Sequence, residues 1–345
     1  MMLPLSNPAG DVSAPASSLD GSPRRISVAL CTYNGGRYLE AQLESISAQT
    51  RQPAELVACD DGSTDDTLAI LERFARRAPF SVRLERNPTT LGSTKNFEKA
   101  IGLCAGELIA TSDQDDVWLP EKLAANEAAF DVEPARGLVF SDAQIVDEAL
   151  RPLGHTMWEG IQFGGLARRQ VRRGRSFEVL LRQWLVTGAT MMLRADLRPF
   201  ILPIPEIWIH DGWIAVIVGA LAPVGLVARP LVQYRQHAAQ QIGGKKLSWR
   251  ELYDRARALG PSHYRLTYDR FVLARERLQG FATQVRDPRY LVMLDEKVEH
   301  QKRRLEIAEE PSRPKRVLRA LSELARGGYT RYSPNSKHFV KDLIF

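Results

Sequence analysis

Hydrophobic positions in the first half of the chain fall into short runs separated by polar turns. Ile26 to Cys31 is almost uninterrupted apolar sequence, the pattern of a strand covered on both faces of a parallel sheet. Thr32-Tyr33-Asn34-Gly35-Gly36 is turn chemistry. A helix is expected from about Tyr38 to Gln49, with Leu39, Leu43 and Ile46 on one face. Glu55 to Cys59 reads as a second strand, and Asp60-Asp61-Gly62-Ser63 as the turn leaving it. Asp65 to Ala75 follows as a helix capped by Ser63 or Thr64. Val82-Arg83-Leu84, a helix over Ser93 to Leu103, and a strand over Leu108 to Thr111 extend the alternation. This order predicts an α/β domain with a mainly parallel central sheet flanked by helices.

The pattern continues with a helix over Pro120 to Phe130, where Pro120 suits the first turn. Leu138 to Asp142 predicts another strand ending in an acid, and Val186 to Arg194 a strand or loop. Ile209-His210-Asp211-Gly212-Trp213 opens a helix to about Gly219. Pro223 to Val227 and Leu231 to Arg235 are expected as two separate strands, and Arg168 to Arg175 as an irregular basic stretch. From about Ser248 the period becomes helical, through Tyr264, Tyr268, Phe271 and Leu278, then Leu291, Leu294, Val298 and Leu305. Three regions result. Residues 1–24, rich in Ser, Pro, Ala and Gly, are an expected disordered lead. Residues 25–244 form the α/β domain, bounded near Gly243-Gly244. Residues 245–345 form a helical extension with a basic amphipathic tail.

Composition narrows the class. Of 345 residues, 44% are hydrophobic and 26% charged, enough for a substantial core. No apolar run reaches the roughly 18 residues of a membrane span, and no signal peptide is evident. Cys31, Cys59 and Cys104 each lie in apolar sequence, as expected for buried thiols in a reducing cytoplasm. The net charge of +6 admits anionic partners. Its basic residues gather in the Arg168–Arg175 run and in the tail, without an aromatic-interleaved groove, which argues against nucleic acid. The tail joins Arg313, Lys315, Arg316 and Arg319 to an apolar stripe of Val317, Leu318, Leu321 and Leu324. Such a helix either lies on an anionic membrane or packs on the domain with its basic face in water.

The chemistry concentrates after the strands. Thr32-Tyr33-Asn34, Asp60-Asp61 and Asp113-Gln114-Asp115-Asp116 all follow expected strand ends, where ligands bind in open α/β sheets. Three carboxylates within four positions repel one another. A hard divalent cation relieves that repulsion, and Mg²⁺ typically takes one or two carboxylates plus substrate phosphates. Asp60 or Asp61 suits a base or ribose, and the alternative is an Asp-Gly turn. Lys95 suits a phosphate or an exposed helix face. Asp211 suits a general base, with a pKa raised beside Ile209 and Trp213, or a helix cap. His237 is a candidate metal or diphosphate contact, and Arg235 a second phosphate candidate.

In order and spacing these residues resemble the family 2 glycosyltransferases, inverting enzymes of the GT-A fold. The matching stretches are Thr32-Tyr33-Asn34-Gly35, Asp60 to Asp65, Asn87 to Asn96, Asp113 to Lys122, Thr187-Gly188-Ala189-Thr190 and His210-Asp211-Gly212-Trp213. Asp-Gln-Asp-Asp-Val-Trp and Tyr234-Arg235-Gln236-His237 are most similar to the rhamnosyltransferase-like branch. The resemblance implies a nucleotide-sugar site formed by Thr32, Tyr33, Asn34, Asp60, Lys95, Asp113, Trp118, Arg235 and His237. It implies Mg²⁺ or Mn²⁺ held by Asp115 with Asp113 and His237, and Asp211 as catalytic base. It further implies a dTDP- or UDP-sugar donor, best matched by dTDP-rhamnose, and a saccharide or lipid-linked saccharide acceptor in bacterial surface polysaccharide or O-antigen assembly. The expected location is cytoplasmic, with peripheral contact at the inner face of the membrane through the tail. Many relatives carry Glu-Asp where this chain has His210-Asp211, and Gly-Asn-Asn where it has Ala238-Ala239-Gln240.

Overall fold

The computed structural model describes residues 24–237, 260–334 and 337–344. The expected disordered lead and the boundary at Gly243-Gly244 lie outside the described residues. The strands are β1 (Ile26–Thr32), β2 (Glu55–Asp60), β3 (Ser81–Arg86), β4 (Leu108–Ser112), β5 (Val117–Trp118), β6 (Leu138–Val146), β7 (Pro152–Thr156), β8 (Met191–Arg194) and β9 (Val224–Arg235). Helices α1 (Leu39–Ser47), α2 (Thr67–Ala75), α3 (Ser93–Leu103) and α4 (Lys122–Val132) connect the early strands. Short helices α5 (Met157–Gly160), α6 (Gly165–Arg172), α7 (Ser176–Arg182) and α8 (Arg198–Ile201) precede α9 (His210–Leu221). The C-terminal region holds α10 (Gly260–Gln279), α11 (Arg289–Glu309), α12 (Arg313–Ala325), α13 (Gly328–Tyr332) and α14 (Lys337–Ile344).

Among the described residues the strands make one sheet in the order β3-β2-β1-β4-β8-β6-β9-β5, with β7 beside β6. The β3-β2-β1-β4 half is parallel. Beyond it β8 runs antiparallel to both β4 and β6, while β6 and β9 are parallel. Successive side chains of a strand face opposite sides, and the inner strands feed two cores. Ala29, Cys31, Val57 and Cys59 pack with Phe97, Ile101 and Trp213 on one face. Val28, Leu30, Leu56 and Ala58 pack with Leu39, Leu43 and Phe74 on the other. All three cysteines are buried and free. Burial pushes the Cys59 thiol up to about 11 and Cys104 to about 12, which leaves them protonated and unreactive.

Three expectations change. The segment expected as two strands is the single strand β9, and Pro230 falls where its register with β6 shifts, so the missing N–H breaks no regular ladder. Much of the stretch expected to be irregular and basic is helix α6, with Arg169 and Arg172 in its last turn, where cations favour the dipole. Asp142 does not end its strand. It lies within β6 and accepts the backbone N–H of Trp158 at 3.0 Å.

The helical region is fastened to the α/β layer by backbone carbonyls. Trp208 Nε1 donates to the Arg270 carbonyl at 2.8 Å, and the Arg277 guanidinium donates to those of Phe200, Leu202 and Pro203. Among the described residues no helix is long and apolar enough to cross a membrane.

Candidate active site

The ends of β1, β2 and β4 converge. Asp60, buried at the end of β2, accepts Thr32 Oγ1 at 2.9 Å and the Ser63 N–H at 2.9 Å. Ser63 is thereby a partner of Asp60, and the expected cap of α2 is absent. Asp61 pins the loop before α3, accepting from Asn87 Nδ2 and from the N–H groups of Leu91 and Gly92 at 2.7–2.9 Å. Asn34 sits in the left-handed region at φ 47°, which asparagine tolerates. Its N–H donates to Ser63 Oγ, and its side-chain oxygen accepts from the Thr64 N–H. Tyr33 projects half-exposed above this layer.

Gln114 joins the first turn to the acidic one. Its amide pairs with the backbone of Tyr33 in both directions, accepting the N–H at 2.8 Å and donating to the carbonyl at 2.9 Å. A Cβ at Gly35 would fall 2.1 Å from Gln114 Oε1, so glycine makes room for the clamp. The three acids then separate in role. Asp113 is half-buried. Burial, then the charges of Asp115 and Asp211, push its carboxyl up to about 8. Asp115 Oδ2 meets His237 Nε2 at 2.8 Å. Asp116 is fully buried and accepts the Arg235 N–H at 3.0 Å, which ties the acidic turn to β9.

Asp211 arrives from α9, distant in sequence, yet its charge acts on Asp113. It is buried and accepts the Gly188 N–H at 3.0 Å. Burial raises its pKa to about 6, against the opposing pull of the Gly188 and Gly212 amides and the Trp184 indole. His210, beside it, is stacked on Phe97 at 3.8 Å between ring centroids, and neither ring nitrogen has a hydrogen-bond partner among the described residues. Burial drives its pKa down to about 3, so it is a neutral spacer. A Cβ at Gly188 would lie 2.5 Å from His210 Nε2. Gly188→Ala is expected to cost about 1–3 kcal/mol, because the stacked ring has no room to retreat. Turnover should fall with it, since the Gly188 N–H positions Asp211. Urea unfolding beside steady-state rates measures both, and a fully active, equally stable variant contradicts this account.

Several expected site residues also make contacts within the fold. Lys95 Nζ, on a partly exposed side chain, is bound to Glu98 at 2.7 Å and the Ile204 carbonyl at 2.8 Å. Arg235 is buried, donates to the Asp115 carbonyl at 2.7 Å, and lies over the Tyr38 ring. It holds the acidic turn from behind. Trp118 is buried beneath the site, with the Lys122 ammonium 3.4 Å from its ring centroid. Thr32, Tyr33, Asn34, Asp60, Asp113, Asp115, His237 and Asp211 remain grouped around the strand ends. Among the described residues no three His, Cys, Asp or Glu side chains gather closely enough to hold an ion alone. Of the expected Asp113, Asp115 and His237 set, Asp115 and His237 are in direct contact, and the charge of Asp115 acts on Asp113. Gln114, Gly188 and Trp184 were not anticipated as site residues, although Gly188 lies in the Thr187-Gly188-Ala189-Thr190 motif.

Residues 27–179 match the family model described as Glycosyl transferase family 2. The chain is 27% identical over 223 residues to an uncharacterised glycosyltransferase of Nostoc sp. strain PCC 7120, covering 62% of this chain and 66% of that one. It is 26% identical over 220 residues to an uncharacterised protein of Mycobacterium tuberculosis strain H37Rv, covering 62% and 59%. The chain thus spans about three-fifths to two-thirds of these relatives' length. A solved structure of S. aureus TarS residues 1–349 aligns with a TM-score of 0.57 at 14% identity, covering 93% of this chain and 90% of that one. The same TarS segment has been solved in complex with UDP-GlcNAc. The likeness shows a shared fold, the expected GT-A fold.

Proposed function

Since residues 27–179 belong to glycosyl transferase family 2, we propose that the chain is an inverting glycosyltransferase that moves a sugar from a nucleoside diphosphate to a saccharide hydroxyl. The observation that carries this reading is the pairing of two unlike acidic centres in one site. Asp115 is held against His237, while Asp211 is a buried carboxyl raised to about 6 whose charge reaches Asp113. In the transfer, Asp211 takes the proton of the acceptor hydroxyl, and that oxygen attacks the anomeric carbon as the bond to the diphosphate breaks. Thr32, Tyr33, Asn34 and Asp60 bind the base and ribose from the ends of β1 and β2. Gln114 keeps that turn aligned with the acids.

The residues fit a divalent cation bound together with the donor. Asp115 and His237 would hold Mg²⁺ or Mn²⁺ near Asp113, with diphosphate oxygens supplying further ligands, as hard cations prefer. Bound there, the metal offsets the charge of the leaving diphosphate. The hydrogen bond between Asp115 and His237 would have to open for both to ligate.

The best-matched donor is dTDP-rhamnose, on the strength of Asp113-Gln114-Asp115-Asp116-Val117-Trp118 and Tyr234 to His237, and the product belongs to bacterial surface polysaccharide such as O-antigen. A UDP-sugar is the second reading, favoured by the TarS complex with UDP-GlcNAc. Thermal shifts with UDP-, dTDP- and GDP-sugars, with and without Mn²⁺, separate these. The expected result is selective stabilisation by dTDP-rhamnose plus metal. Stabilisation by no nucleotide sugar defeats the proposal.

Work at the cytoplasmic face of a membrane agrees with α12. Leu318 is 66% exposed and Leu321 47%, beside exposed Arg313, Lys315 and Arg319, an apolar stripe with cationic flanks. Co-sedimentation with anionic vesicles should fall with salt and drop several-fold in a Leu318→Glu, Leu321→Glu double variant. Equal binding of the variant refutes peripheral contact through this face.

A further inference from the structure

A cavity of about 240 Å³ lies where the segment after α7, the start of α9 and helices α10 and α11 meet, with α14 closing one side. That volume is below the ~300–1,000 Å³ of pockets for drug-sized ligands, and suits a headgroup better than an oligosaccharide. It adjoins the proposed base. Gly212, next to Asp211, lines it, and so does Trp184, whose indole faces Asp211.

The lining is one-sided in charge. Arg182, Arg270, Lys297, Arg304 and Lys341 contribute to it, and no Asp or Glu does among the described residues. Arg304 is neutralised by Asp342 through two hydrogen bonds of 2.7 and 2.8 Å. Lys297 has no such partner. It is 4% exposed, donates to the Tyr332 carbonyl at 2.8 Å, lies over the Phe271 ring, and has no carboxylate at ion-pair distance among the described residues. The Arg270 guanidinium likewise meets the Ile207 carbonyl and the faces of Trp184 and Trp208, with no acid at ion-pair distance among the described residues. An ammonium without a counter-charge in a low-dielectric interior is costly, and burial accordingly holds the Lys297 pKa well below the usual lysine range; an arriving anion would restore its charged form and pair with it. A second observation is independent of charge. Gln301 is 2% exposed, lines the cavity, and its Oε1 has no hydrogen-bond partner among the described residues, so it lacks a donor such as a sugar hydroxyl. Ser333 on the same wall is held 3.2 Å from His300, which is backed by Glu323.

We propose that this cavity receives a phosphate or diphosphate ester carried by the acceptor, and so selects which saccharides present a hydroxyl to Asp211. The inference rests on the glycosyl-transfer reading of Asp211. Lys297 and Arg270 would meet the anion, and Gln301 a neighbouring hydroxyl.

The test is calorimetry on the full chain saturated with dTDP, so that the donor site is filled. The probes are glucose 1-phosphate, farnesyl phosphate in detergent, and uncharged methyl glucoside. Both phosphate esters should bind and methyl glucoside should not. Lys297→Met should weaken that binding at least tenfold, with dTDP affinity unchanged. Arg182→Gln changes a half-buried side chain at the cavity edge, loses one hydrogen bond to the Arg331 carbonyl, and should weaken binding several-fold with less effect on folding than a change at fully buried Lys297. Tighter binding of farnesyl phosphate assigns the anion to a lipid carrier, and equal binding assigns it to a free sugar phosphate. Phosphate esters that bind no better than methyl glucoside, or that bind wild type and both variants alike, overturn the proposal. Loss of ester binding in Lys297→Met supports the cavity whether or not nucleotide sugars bind, so the two readings fail separately.

Discussion

Asp211→Asn is expected to lower turnover on the order of 10³-fold while leaving nucleotide-sugar affinity unchanged, within the 10²–10⁴ range of a positioned general base. The amide keeps the shape of the carboxylate and can still accept the Gly188 N–H. It cannot take a proton. A thousandfold loss corresponds to about 4 kcal/mol of transition-state stabilisation. The wild-type pH profile gives a companion signature. Burial lifts the Asp211 pKa to about 6, so its basic form is complete well above that value and disappears as pH falls through it. The rate should drop about tenfold per unit below pH 6. His210 does not contribute to that limb, because it stays neutral down to about 3. Single-turnover measurements across pH 5–8 on both proteins decide it. A variant within tenfold of wild type removes Asp211 from the chemistry.

Asp342→Asn should destabilise the helical region by about 3–5 kcal/mol, the usual cost of leaving a buried charge without its partner. Asp342 on α14 is 1% exposed. It binds Arg304 of α11 through both oxygens, and also accepts Tyr264 of α10 at 2.8 Å and Tyr329 of α13 at 2.7 Å. One carboxylate thus fastens four helices. Replacing both members of the pair, as Arg304→Met with Asp342→Leu, should recover much of the loss, because apolar side chains of similar volume carry no stranded charge. Urea unfolding followed by limited proteolysis reads the effect at the C-terminal helices. A change below about 1 kcal/mol in the single variant shows that Arg304 reaches solvent in its absence.

The alternation of apolar runs located β1, β2, β4 and α3 nearly to the residue, because each is a buried element of strong period. It missed β5, which has only two residues and exists through pairing with β9, a partner remote in sequence. It divided β9 at Pro230, since a proline normally ends a ladder and the register shift that accommodates it has no local signature. The acids after strand ends were legible as a candidate site because their like charges demand an explanation. The contacts that Lys95 and Arg235 make within the fold were not. A cation's residue type does not reveal whether its partner is a ligand or, as here, Glu98 and the Asp115 carbonyl. Gln114 was overlooked because a neutral amide has neither charge nor period to mark it.

That amide has a thermodynamic consequence. Gln114 grips the backbone of Tyr33 while standing between Asp113 and Asp115. Ordering either turn therefore orders the other. If a cation settles the acidic turn, the Tyr33 turn is already arranged for the proposed nucleotide, and the reverse is equally true. The two affinities are then reciprocally linked: whatever factor the metal gives the nucleotide, the nucleotide returns to the metal. Part of that factor passes through two hydrogen bonds that touch neither ligand.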